Sequence, residues 1–137
     1  MRWILIGVAL ALVAPTALAQ TLDESMTQCI GSDPNGKVSG CTAVIQGGQE
    51  TGSELASVYT HRGMGYGALR RFDQAIADFN QAITIDPALA YAYLARAIVY
   101  QTQGLNAQAV ADTRAALRID PSSSDAQQEL RDLGATP

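Results

Sequence analysis

The stretch FDQAIADFNQAITIDP, residues 72–87, has a near-copy in LNAQAVADTRAALRIDP, residues 105–121. Ala75, Ile76, Ala77, Asp78, Ala82, Ile85, Asp86 and Pro87 are matched 34 positions on by Ala109, Val110, Ala111, Asp112, Ala116, Ile119, Asp120 and Pro121. A fixed period of this length means that each unit is one supersecondary element, unable to bury its apolar face alone and stacked on a neighbour that covers it. That constraint decides the fold class before composition is consulted.

Each unit spans two helices. In the first, SELASVYTHRGMGYGALR (53–70) carries Leu55, Val58, Tyr59, Tyr66 and Leu69 at near-helical spacing. Ser53 and Glu54 suit its start, and Arg70-Arg71 suit its end, where cations oppose the helix dipole. Its partner covers 73–85 and stops ahead of Pro87, because the residue before a proline disfavours the helical region. The second unit repeats the plan with helices over 89–104 and 106–118, Gly104 serving as a left-handed cap and Asn106 as an N-cap. A last short helix, 124–133, is closed by Gly134. Its thin apolar stripe (Ala126, Leu130, Leu133) suits the wet end of a stack. Upstream, DPNGKVSGCTAVIQGG (33–48) reads as a helix capped by Asp33, with Val38, Cys41, Thr42 and Ile45 on one face. With a short helix near 22–31 it makes a degenerate pair.

The first 20 residues, MRWILIGVALALVAPTALAQ, have the layout of a secretory signal: one charge at Arg2, an apolar run from Trp3 to Ala14, and a small-residue ending at Ala17-Leu18-Ala19. Cleavage is expected between Ala19 and Gln20. The 12-residue apolar run is shorter than the ~20 residues that a spanning helix needs, so no membrane insertion is expected after cleavage; a retained anchor is the alternative. Without Arg2 the chain holds eight basic residues against thirteen acidic ones. A mildly acidic chain with no basic cluster is a poor partner for nucleic acid. Cys29 and Cys41 are the only cysteines, and an even count in an exported chain favours a disulfide. Two buried thiols, or a metal site completed by the single histidine, are the alternatives.

Tyr59, Gly63, Tyr66, Ala75, Phe79, Ala82 and Pro87 form a small-and-aromatic signature, repeated by Tyr93, Ala97, Tyr100, Ala109, Ala116 and Pro121, with Thr113 in place of the second aromatic. This pattern resembles the tetratricopeptide repeat, and the wording after the leader is similar to that of small exported repeat proteins of Gram-negative bacteria. The resemblance implies an all-α fold: a short right-handed α-solenoid of antiparallel helix pairs with a C-terminal capping helix. The chain then divides into a leader (1–19), a degenerate disulfide-stapled pair (20–50), two repeat units (56–89 and 90–123, within 51–123) and a capping helix with its tail (124–137). It also implies a periplasmic location.

The chain offers little chemistry. His61 stands alone beside Arg62, and RGMGYG (62–67) only imitates a phosphate loop, since no strand precedes it. No catalytic residue, cofactor or metal is expected. Arg62 and Arg96 share the period, as do Asp78 and Asp112, which predicts ion pairs between the two helices of each unit; two solvated faces at one period are the alternative. In the family the first helix of each unit lines a concave groove. Carried over, that face holds Ser57, Thr60, His61, Met64 and Gly67, then Tyr91, Leu94, Ile98 and Gln101. Lacking the Lys and Asn with which family members clamp carboxylates, it should take a hydrophobic helix or extended segment of a protein or peptide partner, not an acidic tail. Coverage by the chain's own termini, or by a second copy in a homodimer, is the structural alternative. The function implied is a non-enzymatic interaction module, an exported scaffold or adaptor. The alternative is an envelope-assembly or secretion accessory docked to a membrane complex through a retained N-terminus.

Overall fold

The repeated Ile-Asp-Pro shows how local chemistry ends these helices. Asp86 and Asp120 both leave the helical region ahead of proline, and each carboxylate turns onto the new chain direction. Asp86 Oδ1 accepts from the Ala88 amide, and Asp120 Oδ1 from that of Ser122, each at 3.0 Å. One side chain thus stops a helix and builds the turn that follows it.

A computed structural model describes residues 15–136, with side chains from residue 21 onward. Among these, the elements are α1 Pro15–Ile30, α2 Pro34–Gly47, α3 Gly52–Ala68, α4 Phe72–Ile85, α5 Ala90–Thr102, α6 Asn106–Ile119 and α7 Ser124–Asp132, with no strand. The apolar core of the expected leader, residues 3–14, lies outside the described residues, and α1 runs through the expected cleavage point at Ala19/Gln20. Asp33 caps α2 by accepting from the Gly36 amide, and Ser123 caps α7 by accepting from that of Ala126. Asn106 is not a cap: Leu105 holds that position, and Asn106 begins the helix.

Helices pair as α1 with α2, α3 with α4 and α5 with α6, each pair packs on the next, and α7 closes the stack on α6. The first helices also touch one another, α1 with α3 and α3 with α5, and so make the inner layer. The core is divided to match. One cluster joins Cys29, Cys41 and Val44 to Val58 of the next pair, and another joins Ala75 and Phe79 to Ala95 and Val99. The last joins Leu94 and Ala116 to Ala126 of α7. Cys29 and Cys41 are bonded as a disulfide with their Cα atoms 4.5 Å apart, both fully buried. The bridge staples the pair that departs from the repeat pattern.

The glycines inside these helices mark close approach. A Cβ on Gly63 would lie 2.7 Å from the Phe79 ring, so the aromatic of α4 occupies the space that α3 leaves empty. The equivalent residues of the next pair, Ala97 and Thr113, are both fully buried. A larger first residue is matched there by a smaller second one, which conserves volume. At Gly40 the approach is tighter still, since a Cβ would sit 2.5 Å from the Ser25 carbonyl oxygen and 2.6 Å from the Cys29 nitrogen.

Left-handed residues end several helices: Gly48, Gly104 and Gly134 have φ of 67°, 76° and 67°. Arg70 is the exception. It adopts φ 59° at the position where the following unit has Gly104, although a side chain is disfavoured there by roughly 1 kcal/mol.

Two outcomes follow for urea denaturation. Gly40→Ala should lower stability by roughly 2 kcal/mol, because backbone collision between α1 and α2 outweighs the ~1 kcal/mol helix-propensity gain. Arg70→Gly should raise stability, by about 1 kcal/mol at most, because glycine relieves the left-handed turn but also frees the unfolded chain.

Candidate binding groove

The inner layer is held in register by two arginines at one repeat position. Arg62 Nε and Nη2 donate to Asp78 Oδ2 and Oδ1, both at 2.8 Å, and Arg62 Nη1 reaches back to Thr42 Oγ1 of α2 at 3.3 Å. Arg96 does the same one unit on: Nε and Nη2 donate to Asp112 at 2.7 and 2.8 Å, while Nη1 donates to Asn80 of α4. Each guanidinium also lies over two tyrosines of its own helix, Arg62 between Tyr59 and Tyr66, Arg96 between Tyr93 and Tyr100. The fork ties a first helix to its own partner and to the second helix of the preceding pair. Hydrogen bonding to the carboxylate raises the pKa of both arginines against the opposing effect of burial. The arginines stay charged, and the pairs are structural.

With the helices so placed, an apolar groove of about 280 Å³ lies between the C-terminal part of α3 and α5. Met64, Gly67 and Ala68 form one wall, and Tyr91, Ala95, Ile98 and Thr102 the other, with Phe72 and Phe79 of α4 and Val99 behind them. Tyr91 and Ile98 are 44% and 47% exposed, large for side chains of their type. The Tyr91 hydroxyl donates to Met64 Sδ at 3.0 Å across the opening, and burial, then the charge of Asp125, pushes its pKa up. The tyrosine is therefore neutral and bridges the two walls.

Of the residues expected on this face, Met64, Gly67, Tyr91 and Ile98 line the groove. Ser57 and His61 lie toward the start of α3. There the Ser57 hydroxyl donates to the Ser53 carbonyl at 2.9 Å, and His61 Nδ1 donates to the Ser57 carbonyl at 2.8 Å. The His61 ring is 6.5 Å from that of Tyr91. Gln101 is half-buried and outside the lining. Two assignments are corrected. Thr60 is fully buried, with its hydroxyl donating to the Ala56 carbonyl. Leu94 is only 5% exposed and packs against Ala116 and Ala126. Both occupy one repeat position, and neither lines the groove. The lining residues that sequence reasoning missed are Ala68, Phe72, Phe79, Ala95, Val99 and Thr102. The two phenylalanines belong to the second helix, which packs close behind α3 at Gly63.

No group of three or more potential metal ligands occurs among the described residues, and no described helix is long and apolar enough to cross a membrane. One carboxylate stands out: Glu129 Oε1 is buried without a hydrogen-bond partner among the described residues. Burial and the nearby charge of Asp132 raise its pKa.

Residues 68–104 match a family model described as TPR repeat, and residues 90–123 match one described as tetratricopeptide repeat. Together with the stacked helix pairs, these matches decide the family. The chain is a tetratricopeptide-repeat protein. Among solved structures it resembles the OM64 TPR domain of Arabidopsis, with 25% identity, a TM-score of 0.73, and coverage of 87% of this chain and 95% of that one. It also resembles the second TPR domain of human RPAP3 in complex with the HSP70 peptide SGPTIEEVD (20% identity, TM-score 0.71, coverage 90% and 100%). A third likeness is to the first TPR of Spaghetti (RPAP3) bound to the HSP90 peptide SRMEEVD (19% identity, TM-score 0.68, coverage 87% and 89%). No curated protein sequence matches the chain.

The ion pairs give this repeat protein a double-mutant test. Asp78→Ala strands a mostly buried guanidinium and should cost about 3 kcal/mol. Combining it with Arg62→Met should recover most of that loss, read as the urea midpoint of the two variants.

Proposed function

We propose that this protein is an interaction module that holds an apolar segment of a partner protein in the groove between α3 and α5. The observation that carries the reading is the pair of walls formed by Met64 and Ile98, which are equivalent residues of successive units. Ile98 is 47% exposed and Met64 partly so, above the buried Phe79 ring, and no charged side chain lines the groove. An apolar cleft with one bridging hydroxyl suits a hydrophobic helix or strand, whose side chains would displace poorly held water. Two structural neighbours are recorded with peptides bound, and this use of the fold agrees with the proposal. The proposed role is non-enzymatic. From the leader pattern and the cysteine pair we further propose that the chain is exported to the periplasm, cleaved after Ala19, and acts there as a soluble adaptor.

Ile98→Asp places a charge in the groove while leaving the core intact, and is the better test because Leu94 is a packing residue. Partner capture from an envelope extract should fall at least tenfold, with far-ultraviolet circular dichroism unchanged. Undiminished capture by this variant would refute the groove. N-terminal sequencing of the mature protein should begin at Gln20; retention of residues 1–19 would instead support the membrane-docked accessory.

A further inference from the structure

We propose that the groove reads a carboxylate beside its apolar anchor: the partner segment carries an Asp or Glu side chain that docks on Arg70 and Arg71, at the turn between α3 and α4. The inference rests on the groove assignment above and names the chemistry of the partner there.

Phe72 joins two surfaces. Its ring lines the apolar groove on one side, and on the other it borders a polar hollow formed with Arg70, Arg71, Asp73, Gln74 and Gln103. The Arg70 guanidinium lies 5.3 Å from the Phe72 ring centroid, and that of Arg71 lies 4.8 Å from the Tyr66 ring. Arg71 Nε donates to Gln74 Oε1 at 2.5 Å, and the residue is exposed. Both side chains are thus laid on aromatic faces, which spares part of the ordering entropy that binding otherwise costs. Neither forms an ion pair with a carboxylate among the described residues, in contrast with Arg62 and Arg96. Asp73 borders the same hollow without closing such a pair, so the hollow keeps a net positive charge.

The backbone adds a second reason. Arg70 keeps a left-handed φ of 59° where the next unit uses glycine. A strained, charged, exposed residue beside a binding groove is the kind of outlier that points to function. The Lys and Asn clamp of the family sits on first-helix faces, whereas this pair lies in a turn. The groove itself is neutral, and its charge is confined to this rim. Because Arg70 and the groove share one ring, the acid follows the anchor within about two residues of extended chain, at ~3.4 Å each. The guanidinium fork suits a carboxylate held by two hydrogen bonds.

The test pans a random peptide library, fused at its C-terminus so that no free carboxylate is displayed, against the mature protein and three variants: Arg70→Gly, Arg71→Gln and Ile98→Asp. Wild-type protein should enrich apolar pairs flanked by Asp or Glu. Arg70→Gly and Arg71→Gln should keep the apolar enrichment and lose the acidic one. A selected peptide with its acid changed to the amide should bind roughly tenfold more weakly, and raised salt should narrow that difference. Because Arg70→Gly eases the turn, its melting temperature should not fall, which separates recognition from a merely structural contact of Arg70 with Phe72. Apolar enrichment without acid, or acid enrichment indifferent to both arginine variants, overturns the carboxylate reading and leaves the groove standing. Absence of apolar enrichment, or its persistence in Ile98→Asp, overturns the groove and this inference with it.

Discussion

Everything in this molecule depends on how closely the two helices of a pair can approach. Gly63 gives the Phe79 ring the room that a side chain would fill, and Gly40 lets α2 lie against the backbone of α1. At each close contact one helix carries the small residue, α3 at Gly63 and α2 at Gly40. No pair, however, owns a complete core. Val58 completes the cluster begun by Cys29 and Cys41, and Ala126 completes the one begun by Leu94. Stability in such an array is shared between neighbours, which is why one degenerate pair with a disulfide at one end and a short polar helix at the other suffice to close it.

Close approach alone would leave the helices free to slide, and apolar packing between small residues resists sliding weakly. The Arg62 and Arg96 forks supply the missing direction. Each reaches two other helices, and each is held over two tyrosine rings. Such pairs contribute less to net stability than to the choice of one register among several, because removing charge from water offsets much of the attraction.

The groove is a product of both features. Glycine at 63 lets the buried Phe79 ring pack close behind the groove, and glycine at 67 forms part of its wall. The register then sets Met64 across from Ile98, and Tyr91 reaches over to close the span. Phe72, at the start of α4, borders both the groove and the hollow formed with the exposed arginines of the turn.

Periodicity alone was enough to specify helix pairs, their order and the phase of the Arg–Asp positions, because a repeat encodes which face of one helix meets its neighbour. Prolines, Asp86, Asp120 and Gly104 marked the helix ends because those effects act within a few residues. The left-handed turn at Arg70 was not legible, since nothing local demands it of an arginine. Nor could one face of α5 be divided correctly from sequence: Leu94 and Ile98 are one turn apart and equally apolar, yet one is core and the other is groove. Only the arrival of α7, more than twenty residues further along the chain, covers Leu94 and leaves Ile98 open. Burial is decided by what packs on top, and a linear pattern records only which side a residue is on.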